Sequence, residues 1–226
     1  MKIIAHIEND FKEKFGIPRQ SGIAASMLSR IVFEKEYRSP EALRGIEGYS
    51  HLWIIWKFSE AEREDWSPTV RPPRLGGNKR MGVFATRSPF RPNPIGLSSV
   101  KLVGTEITER GTVLTVSGAD LLDGTPIYDI KPYLAYTDSH PDAVSGFSDA
   151  VKDYSLAVSI PDKLSAQLTE KELATLREIL KDDPRPAYKD DGERIYTFTF
   201  GSREISFRVE DGILTVTDIR SKENAT

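Results

Sequence analysis

The sequence contains no cysteine. Disulfide bonds, thiolate metal sites and a cysteine nucleophile are therefore excluded, and the chain fits a reducing compartment such as the cytoplasm. Histidine is rare as well. The three histidines, His6, His51 and His140, lack the spacing of a metal-ligand set, so we expect no metal centre.

Long hydrophobic runs are also absent. No window approaches the about 18 apolar residues of a membrane span. The N-terminal sequence MKIIAHIEND has neither the charged region nor the long apolar region of a signal peptide. We therefore expect a cytoplasmic protein that does not partner with a membrane.

Acidic residues are missing from Trp66 to Thr105, although the whole chain has a formal net charge of -3. Within this acid-free segment, prolines restrict the backbone and glycines permit turns, which favours a rigid pair of anion-binding loops around a short strand at Met81–Ala85. Phosphates of a nucleic acid or nucleotide are the expected anions. An ordinary solvated basic loop is the alternative. Between Val70 and Leu97 the basic residues are Arg71, Arg74, Lys79, Arg80, Arg87 and Arg91.

Familiar cofactor motifs are lacking. No Gly-Lys-Ser/Thr sequence opens a helix, and no Gly-x-Gly-x-x-Gly follows a strand, so neither a P-loop nor a Rossmann site is expected. Three acidic residues, Asp120, Asp123 and Asp129, lie close together in the sequence and could supply a base or simply end turns.

Short strands with few helices dominate the first two thirds of the chain. His51–Phe58 is the most apolar run and predicts a strand buried on both faces, with Trp53 and Trp56 in the core. This pattern predicts a mainly β domain, a closed or partly closed barrel, over residues 1–145. The strands Ser98–Val103 and Val113–Ser117 are predicted to pair across a turn at Arg110-Gly111. The other predicted strands are Lys2–Ile7, Leu28–Glu34 and Ile127–Ile130.

A polar segment, residues 146–158, is predicted to link the barrel to a small α+β domain at residues 159–226. Leucines share one face of a predicted helix over 165–181, with a capping box at Thr169–Glu172. Three alternating strands follow, joined at Gly201-Ser202 and Asp211-Gly212, so we expect a meander with the helix on one face.

Several long motifs resemble the TsaA-like family, the TrmO-type tRNA methyltransferases, over nearly the whole chain. The resemblance implies a closed antiparallel β-barrel with an added α+β domain. It also implies S-adenosylmethionine-dependent N6-methylation of the threonylcarbamoyladenosine next to the anticodon of threonine tRNA, by a homodimer. The motifs are FGIPRQ at 15–20, GYSHLW at 48–53, RPPRLGGN at 71–78, GVFATRS at 82–88, RPNPIG at 91–96, DGTP at 123–126, DIKPY at 129–133 and DPRPAY at 183–188.

The resemblance also implies the residues that bind the cofactor. They lie in the Pro-Arg-Gln loop, at the end of the aromatic strand, in the Thr-Arg-Ser motif, after the Pro-Ile-Gly turn and in the Gly-Thr-Pro segment. In this sequence they are Pro18, Arg19, Gln20, Phe58, Ser59, Arg87, Leu97, Thr125, Pro126, Ile127 and Tyr128.

Further roles are hypotheses built on the chemistry of methyl transfer. The accepting nitrogen still bears a proton, so a base or an oriented acceptor should help, and Asp129 and Tyr133 are the candidates. Asn93 would position the nucleotide. Arg71, Arg74, Arg80 and Arg91 would hold RNA phosphates. Arg185 and Tyr188 would either extend this RNA surface or only join the two domains.

A nucleic-acid-binding module without chemistry would explain the basic segment and the barrel equally well. A methyltransferase that acts on a non-RNA acceptor is a third interpretation.

Overall fold

Eight strands lie in the N-terminal part of the chain. The computed structural model describes residues 1–62, 65–75, 79–150, 152–185 and 192–222. The strands are β1 (Ala5–Glu8), β2 (Leu28–Phe33), β3 (His51–Lys57), β4 (Thr69–Val70), β5 (Met81–Gly82), β6 (Ile95–Thr108), β7 (Gly111–Ser117) and β8 (Pro126–Pro132).

Six of these strands form one antiparallel sheet that closes on itself. They are ordered β1-β2-β7-β6-β3-β8, and β8 returns to pair with β1 through Ala5 and Ile127. The hairpin predicted at Arg110-Gly111 joins β6 to β7. The protein is therefore mainly β in this part, as predicted.

Strand β3 runs through the middle of this sheet, between β6 and β8. Leu52, Ile54 and Trp56 point into the core, whereas Trp53 and Ile55 on the other face are only half-buried. The prediction that both faces are buried is wrong, because the outer face of the strand is only partly covered by the residues that the structure describes.

Strands β4 and β5 form a separate two-stranded sheet, which we call the arm together with the adjoining turns (residues 66–75 and 79–91). The predicted strand at 81–85 ends early, since Val83–Ala85 is a 3₁₀ turn. Val83 fixes this turn. Its side chain is buried and its N–H donates to the carbonyl of Pro68 at 2.9 Å.

The C-terminal part combines helices with a four-stranded sheet of order β10-β11-β12-β9. The three-stranded meander is confirmed, and the unpredicted β9 adds a parallel edge to β12. No helix in the described residues is long and apolar enough to cross a membrane. The elements are α1 (Ala135–Asp138), β9 (Ala157–Ser159), α2 (Asp162–Ser165), α3 (Glu170–Lys181), β10 (Tyr196–Phe200), β11 (Arg203–Glu210) and β12 (Ile213–Ser221).

Helix α3 begins at the predicted capping box. The Thr169 hydroxyl accepts from the Glu172 N–H at 3.2 Å, and the Glu172 carboxylate accepts from the Thr169 N–H at 2.7 Å. Leu176, Ile179 and Leu180 are buried in the C-terminal core. The helix therefore lies with one apolar face on the sheet, which is the predicted arrangement.

Two hydrophobic cores form, one inside the closed sheet and one between α3 and the C-terminal sheet. The segment between β1 and β2 (residues 9–27), which we call the β1–β2 loop, adds Phe11 and Met27 to the C-terminal core. Gly16 makes this packing possible. Its φ is +96°, and a Cβ there would lie 2.9 Å from Cε2 of Phe198.

Candidate functional site

A chain of hydrogen bonds at the end of β3 runs from the buried Trp56 to the half-buried Asp120. The indole N–H of Trp56 donates to the Ser98 hydroxyl at 2.9 Å, and that hydroxyl donates to the Asp120 carboxylate at 2.5 Å. Burial raises the pKa of the Asp120 carboxyl, and the hydrogen bond from Ser98 only partly offsets this effect. Asp120 is thus a carboxyl group held in place inside the fold.

The Pro-Arg-Gln loop and Arg87 meet beside this carboxyl group. The Arg87 guanidinium donates to the side-chain oxygen of Gln20 at 2.5 Å, and its positive charge also acts on Asp120. Pro18 is buried, and the loop is tied down where the Gly22 N–H donates to the Gly118 carbonyl at 2.8 Å. Two motifs that are far apart in the sequence therefore form one polar, accessible surface.

Arg19 makes its hydrogen bonds in a different direction. Its guanidinium donates to the backbone carbonyls of Asp183 (3.2 Å) and Arg185 (2.5 Å), which belong to the C-terminal motif. These contacts connect the loop to the segment that follows α3.

Arg185 is buried in an ion pair with Asp183. Its Nε and Nη2 donate to the two carboxylate oxygens at 2.9 and 3.0 Å, and Tyr154 donates to the same carboxylate at 2.8 Å. Burial alone would raise the pKa of Asp183, but the hydrogen bonds and the Arg185 charge outweigh it and lower that pKa. This ion pair holds the Arg185 side chain within the C-terminal part, while the Arg185 backbone carbonyl accepts from Arg19 of the β1–β2 loop. Tyr188 lies outside the described residues.

Phe58 and Ser59 extend β3 towards the loop before β6. The Phe58 ring lies 4.2 Å from the Trp56 ring, and its N–H donates to the Pro94 carbonyl at 2.8 Å. Asn93 is exposed next to this contact. The aromatic strand end and the Pro-Asn-Pro turn are therefore neighbours.

The outer face of the closed sheet carries a second group of predicted residues. Leu97, Ile55 and Asp129 stand side by side across β6, β3 and β8, and Leu97 is 56% exposed. The Asp129 carboxylate pairs with Lys131 at 2.9 Å. Asp129 and Leu97 are thus two strand spacings apart, about 10 Å.

Side chains of the Gly-Thr-Pro segment alternate between the inside and the outside of the closed sheet. Thr125 and Ile127 are buried, whereas Pro126 and Tyr128 are half-buried. Consequently only Pro126 and Tyr128 in this segment have side-chain surface that a ligand could reach.

Tyr133 belongs to a different cluster. Its ring packs on Trp53 at 5.4 Å, and the Trp53 indole donates to Asp138 at 2.8 Å. Asp129 and Tyr133 are four residues apart along an extended segment, about 13 Å. The structure does not bring these two catalytic candidates together.

The predicted RNA-binding arginines lie on or beside the arm. Arg71 and Arg80 are exposed, and Arg80 donates to the Thr69 hydroxyl at 3.3 Å. Arg91 donates to the carbonyls of Thr86 (3.2 Å) and Ser88 (3.4 Å). The side chain of Arg74 is outside the described part of the structure.

Sequence reasoning missed the roles of Ser98 and Asp120. Ser98 carried no motif signal, and Asp120 was one of three acids that could have ended turns. Across the residues the structure describes, no three histidine, aspartate or glutamate side chains group as a metal site.

Comparisons with known proteins agree over both halves. Two family models match, one described as the tRNA-methyltransferase O N-terminal domain over residues 6–139 and the other as the TrmO C-terminal domain over residues 153–222. The chain is 43% identical over 216 residues to a tRNA (adenine(37)-N6)-methyltransferase of Escherichia coli K12, and the match covers 92% of each chain.

Two further matches cover most of the chain. A protein of the same name from Eikenella corrodens is 47% identical over 176 residues, which is 77% of this chain and 99% of the relative. The crystal structure of TrmO from Pseudomonas aeruginosa has a TM-score of 0.77 and 32% identity, and the match covers 97% of this chain and 95% of that one.

Proposed function

The chain belongs to the TrmO family of tRNA methyltransferases, and we propose that it transfers a methyl group from S-adenosylmethionine to N6 of adenosine 37 in tRNA. The observation that carries this proposal is the contact between Gln20 and Arg87 beside Asp120, because it unites two family motifs at one accessible surface. The sequence identity to relatives named for this activity also supports the proposal, because the matches extend over most of the chain.

The residues at this surface suit the proposed cofactor. Arg87 would hold the carboxylate of S-adenosylmethionine, and Gln20 offers an amide for further hydrogen bonds. Phe58 at the end of β3 and the exposed Leu97 on the outer face of the closed sheet would offer apolar surface for the adenine. When bound, the cofactor supplies an electrophilic methyl group, and correct alignment of the accepting nitrogen contributes much of the rate.

Asp129 is the proposed base for the N6 proton. It stands on the same outer face as Leu97, and its carboxylate is 46% exposed, so a substrate could reach it. Asn93 would position the nucleotide, whereas Tyr133, the other candidate, packs on Trp53 away from Asp129. Asp129→Asn should lower turnover while S-adenosylmethionine still binds, and full turnover by this variant at every pH would remove Asp129 from the role.

The arm is the proposed site for the RNA backbone. Arg71, Arg80 and Arg91, together with Arg74, would hold phosphates of the anticodon loop, so binding should weaken as salt rises. A variant with all four arginines changed to alanine should lose most of this salt dependence. Equal binding by that variant and the parent at low salt would place the RNA site elsewhere.

Finer features of the proposal come from the resemblance. They are threonylcarbamoyl-modified threonine tRNA as the substrate, a homodimer as the active form and the cytoplasm as the location. We interpret the closed six-stranded sheet as the family's β-barrel, with residues 1–145 as the catalytic domain and 159–226 as the added domain.

The deciding experiment is methylation of total tRNA from a strain that lacks the activity, read by nucleoside mass spectrometry. We expect a new N6-methylated nucleoside that retains the threonylcarbamoyl group. Isothermal titration with S-adenosylmethionine distinguishes the non-catalytic alternative, because a pure nucleic-acid-binding module should give no heat. Heat without methylated tRNA would indicate a different acceptor.

A further inference from the structure

Two exposed aromatic side chains lie together on the arm. Trp66 is 52% exposed and Phe84 is 71% exposed, and their ring centroids are 6.0 Å apart with a 34° angle between the planes. Large aromatic side chains are usually buried, so an exposed pair of this kind marks a contact surface. Neither residue takes part in the site described above.

The pair is held by the local fold. Phe84 is in the middle of the 3₁₀ turn that the buried Val83 anchors, so its ring is presented from a fixed backbone. The Arg91 guanidinium lies over the same ring, 5.9 Å from its centroid, which is within cation–π distance. Its bonds to the Thr86 and Ser88 carbonyls keep it beside the turn.

Charge indicates which partner would cover these rings. The acid-free segment begins at Trp66, directly after Asp65, and every charged side chain of the arm beyond that point is basic. The exposed rings therefore share the arm with arginines, and the Arg91 guanidinium lies over Phe84 itself. Single-stranded RNA matches both the rings and the arginines, because its unpaired bases stack on aromatic side chains and its phosphates bind arginine. A two-fold contact between copies of this arm would instead place like charges together.

We propose that Trp66, Phe84 and Arg91 form a stacking surface for an unpaired base of the RNA substrate, next to the nucleotide that is methylated. The inference rests on the proposed function, and it adds a means of holding the loop open that phosphate contacts alone do not give. Base stacking tolerates any base, so this surface contributes affinity rather than sequence choice.

The test is binding of an RNA hairpin that carries the anticodon loop. Phe84→Ala should raise the dissociation constant about tenfold, given the usual contribution of one stacked base. Phe84→Tyr keeps an aromatic face and should bind like the parent, whereas Phe84→Leu keeps apolar area only and should behave like the alanine variant. Ile107→Ala, an exposed apolar residue near the far end of β6, is the matched control and should leave binding unchanged.

Tryptophan fluorescence gives an independent measurement. A base stacked on Trp66 should quench its emission. Trp66→Phe should therefore keep the affinity for the hairpin but lose most of the quenching. Quenching of equal size in this variant would contradict stacking on Trp66.

The remaining outcomes separate failure of the stacking surface from failure of the proposed reaction. Parent-like hairpin binding by both Phe84→Ala and Phe84→Leu would overturn the inference, even if the parent methylates tRNA. A change in sedimentation mass for Phe84→Ala with unchanged hairpin binding would overturn it in favour of a second copy of the chain. If the parent binds the hairpin with aromatic dependence but methylates no tRNA, the proposed reaction fails and the stacking surface stands.

Discussion

Gly96→Ala tests whether the end of β3 is packed as tightly as the structure indicates. A Cβ at residue 96 would meet Cε2 of Trp56 first, and it would also lie 2.5 Å from Cζ2 and 2.6 Å from Cδ2 of the same ring. Ordinary contact begins at 3.4 Å, so the ring has to retreat by more than about 0.9 Å. Trp56 is only 6% exposed and has little space to move.

Two costs follow from this displacement. Overpacking of a core costs about 1–3 kcal/mol. A retreat of this size also stretches the 2.9 Å bond between the Trp56 indole and Ser98 beyond hydrogen-bonding distance, which costs about 1 kcal/mol more. The free energy of unfolding should fall by about 3 kcal/mol, and the melting temperature by about 6–12 °C for a chain of this size.

Thermal unfolding followed by circular dichroism measures the effect. Gly104→Ala is the matched control, because it makes the same change on the same strand with no atom within 4 Å of the new Cβ. The control should melt within about 2 °C of the parent. A Gly96→Ala protein that melts as high as the Gly104→Ala protein would refute the packing argument.

A double variant makes the cause specific. The clashing atoms belong to the six-membered ring of the indole, and phenylalanine has a smaller side chain. Gly96→Ala should therefore cost less in a Trp56→Phe background than in the parent. Additive costs would show that the destabilisation arises somewhere other than the contact with Trp56. S-adenosylmethionine binding by Gly96→Ala should weaken as well, since Phe58 packs on the displaced ring.

The remaining predictions concern a cap and two carboxyl groups. Thr169→Ala removes the α3 cap and should lower the free energy of unfolding by about 1 kcal/mol, measured in urea. Asp183→Ala leaves the Arg185 guanidinium without its bidentate partner and should cost about 3 kcal/mol. Because the pKa of Asp183 is lowered in the fold, this difference should be present above about pH 4 and disappear as the pH falls further. The charge of Asp120 affects stability in the opposite direction. Because the pKa of Asp120 is raised in the fold, its charged form lowers the free energy of unfolding at neutral pH. Asp120→Asn should therefore melt no lower than the parent at pH 7 but bind S-adenosylmethionine less tightly, and a lower melting temperature would contradict this assignment.

Local signals in the sequence were enough to predict several elements. The capping box at Thr169 marked the start of α3, and Arg110-Gly111 marked the β6–β7 hairpin. Strand β9 was missed because its three residues carry little pattern of their own. Its partner, β12, is more than fifty residues away along the chain, and such pairing leaves no local signal.

The contact between Ser98 and Asp120 could not be predicted from the sequence, because it depends on a β-bulge. Near the hairpin, β6 pairs with β7 in a register in which Gly104 opposes Thr115. A bulge at Val103 then shifts this register by one residue, so that Lys101 opposes Ser117. Continued in the new register, Ser98 faces Asp120. Without the bulge, the half-buried Ser99 would take that place, and nothing in the sequence fixes where the bulge falls.

The β1–β2 loop explains why the site cannot be understood from the closed sheet alone. At its start, the Asn9 side chain donates to the Leu121 carbonyl at 2.9 Å, which ties the loop to the segment that follows β7. Beyond that point Phe11 enters the C-terminal core, and Arg19 bonds to the carbonyls of Asp183 and Arg185. Gln20 is the next residue, so the position of its amide beside Arg87 depends on contacts with both parts of the chain. The C-terminal part therefore contributes to the proposed cofactor site by fixing the loop that carries Gln20.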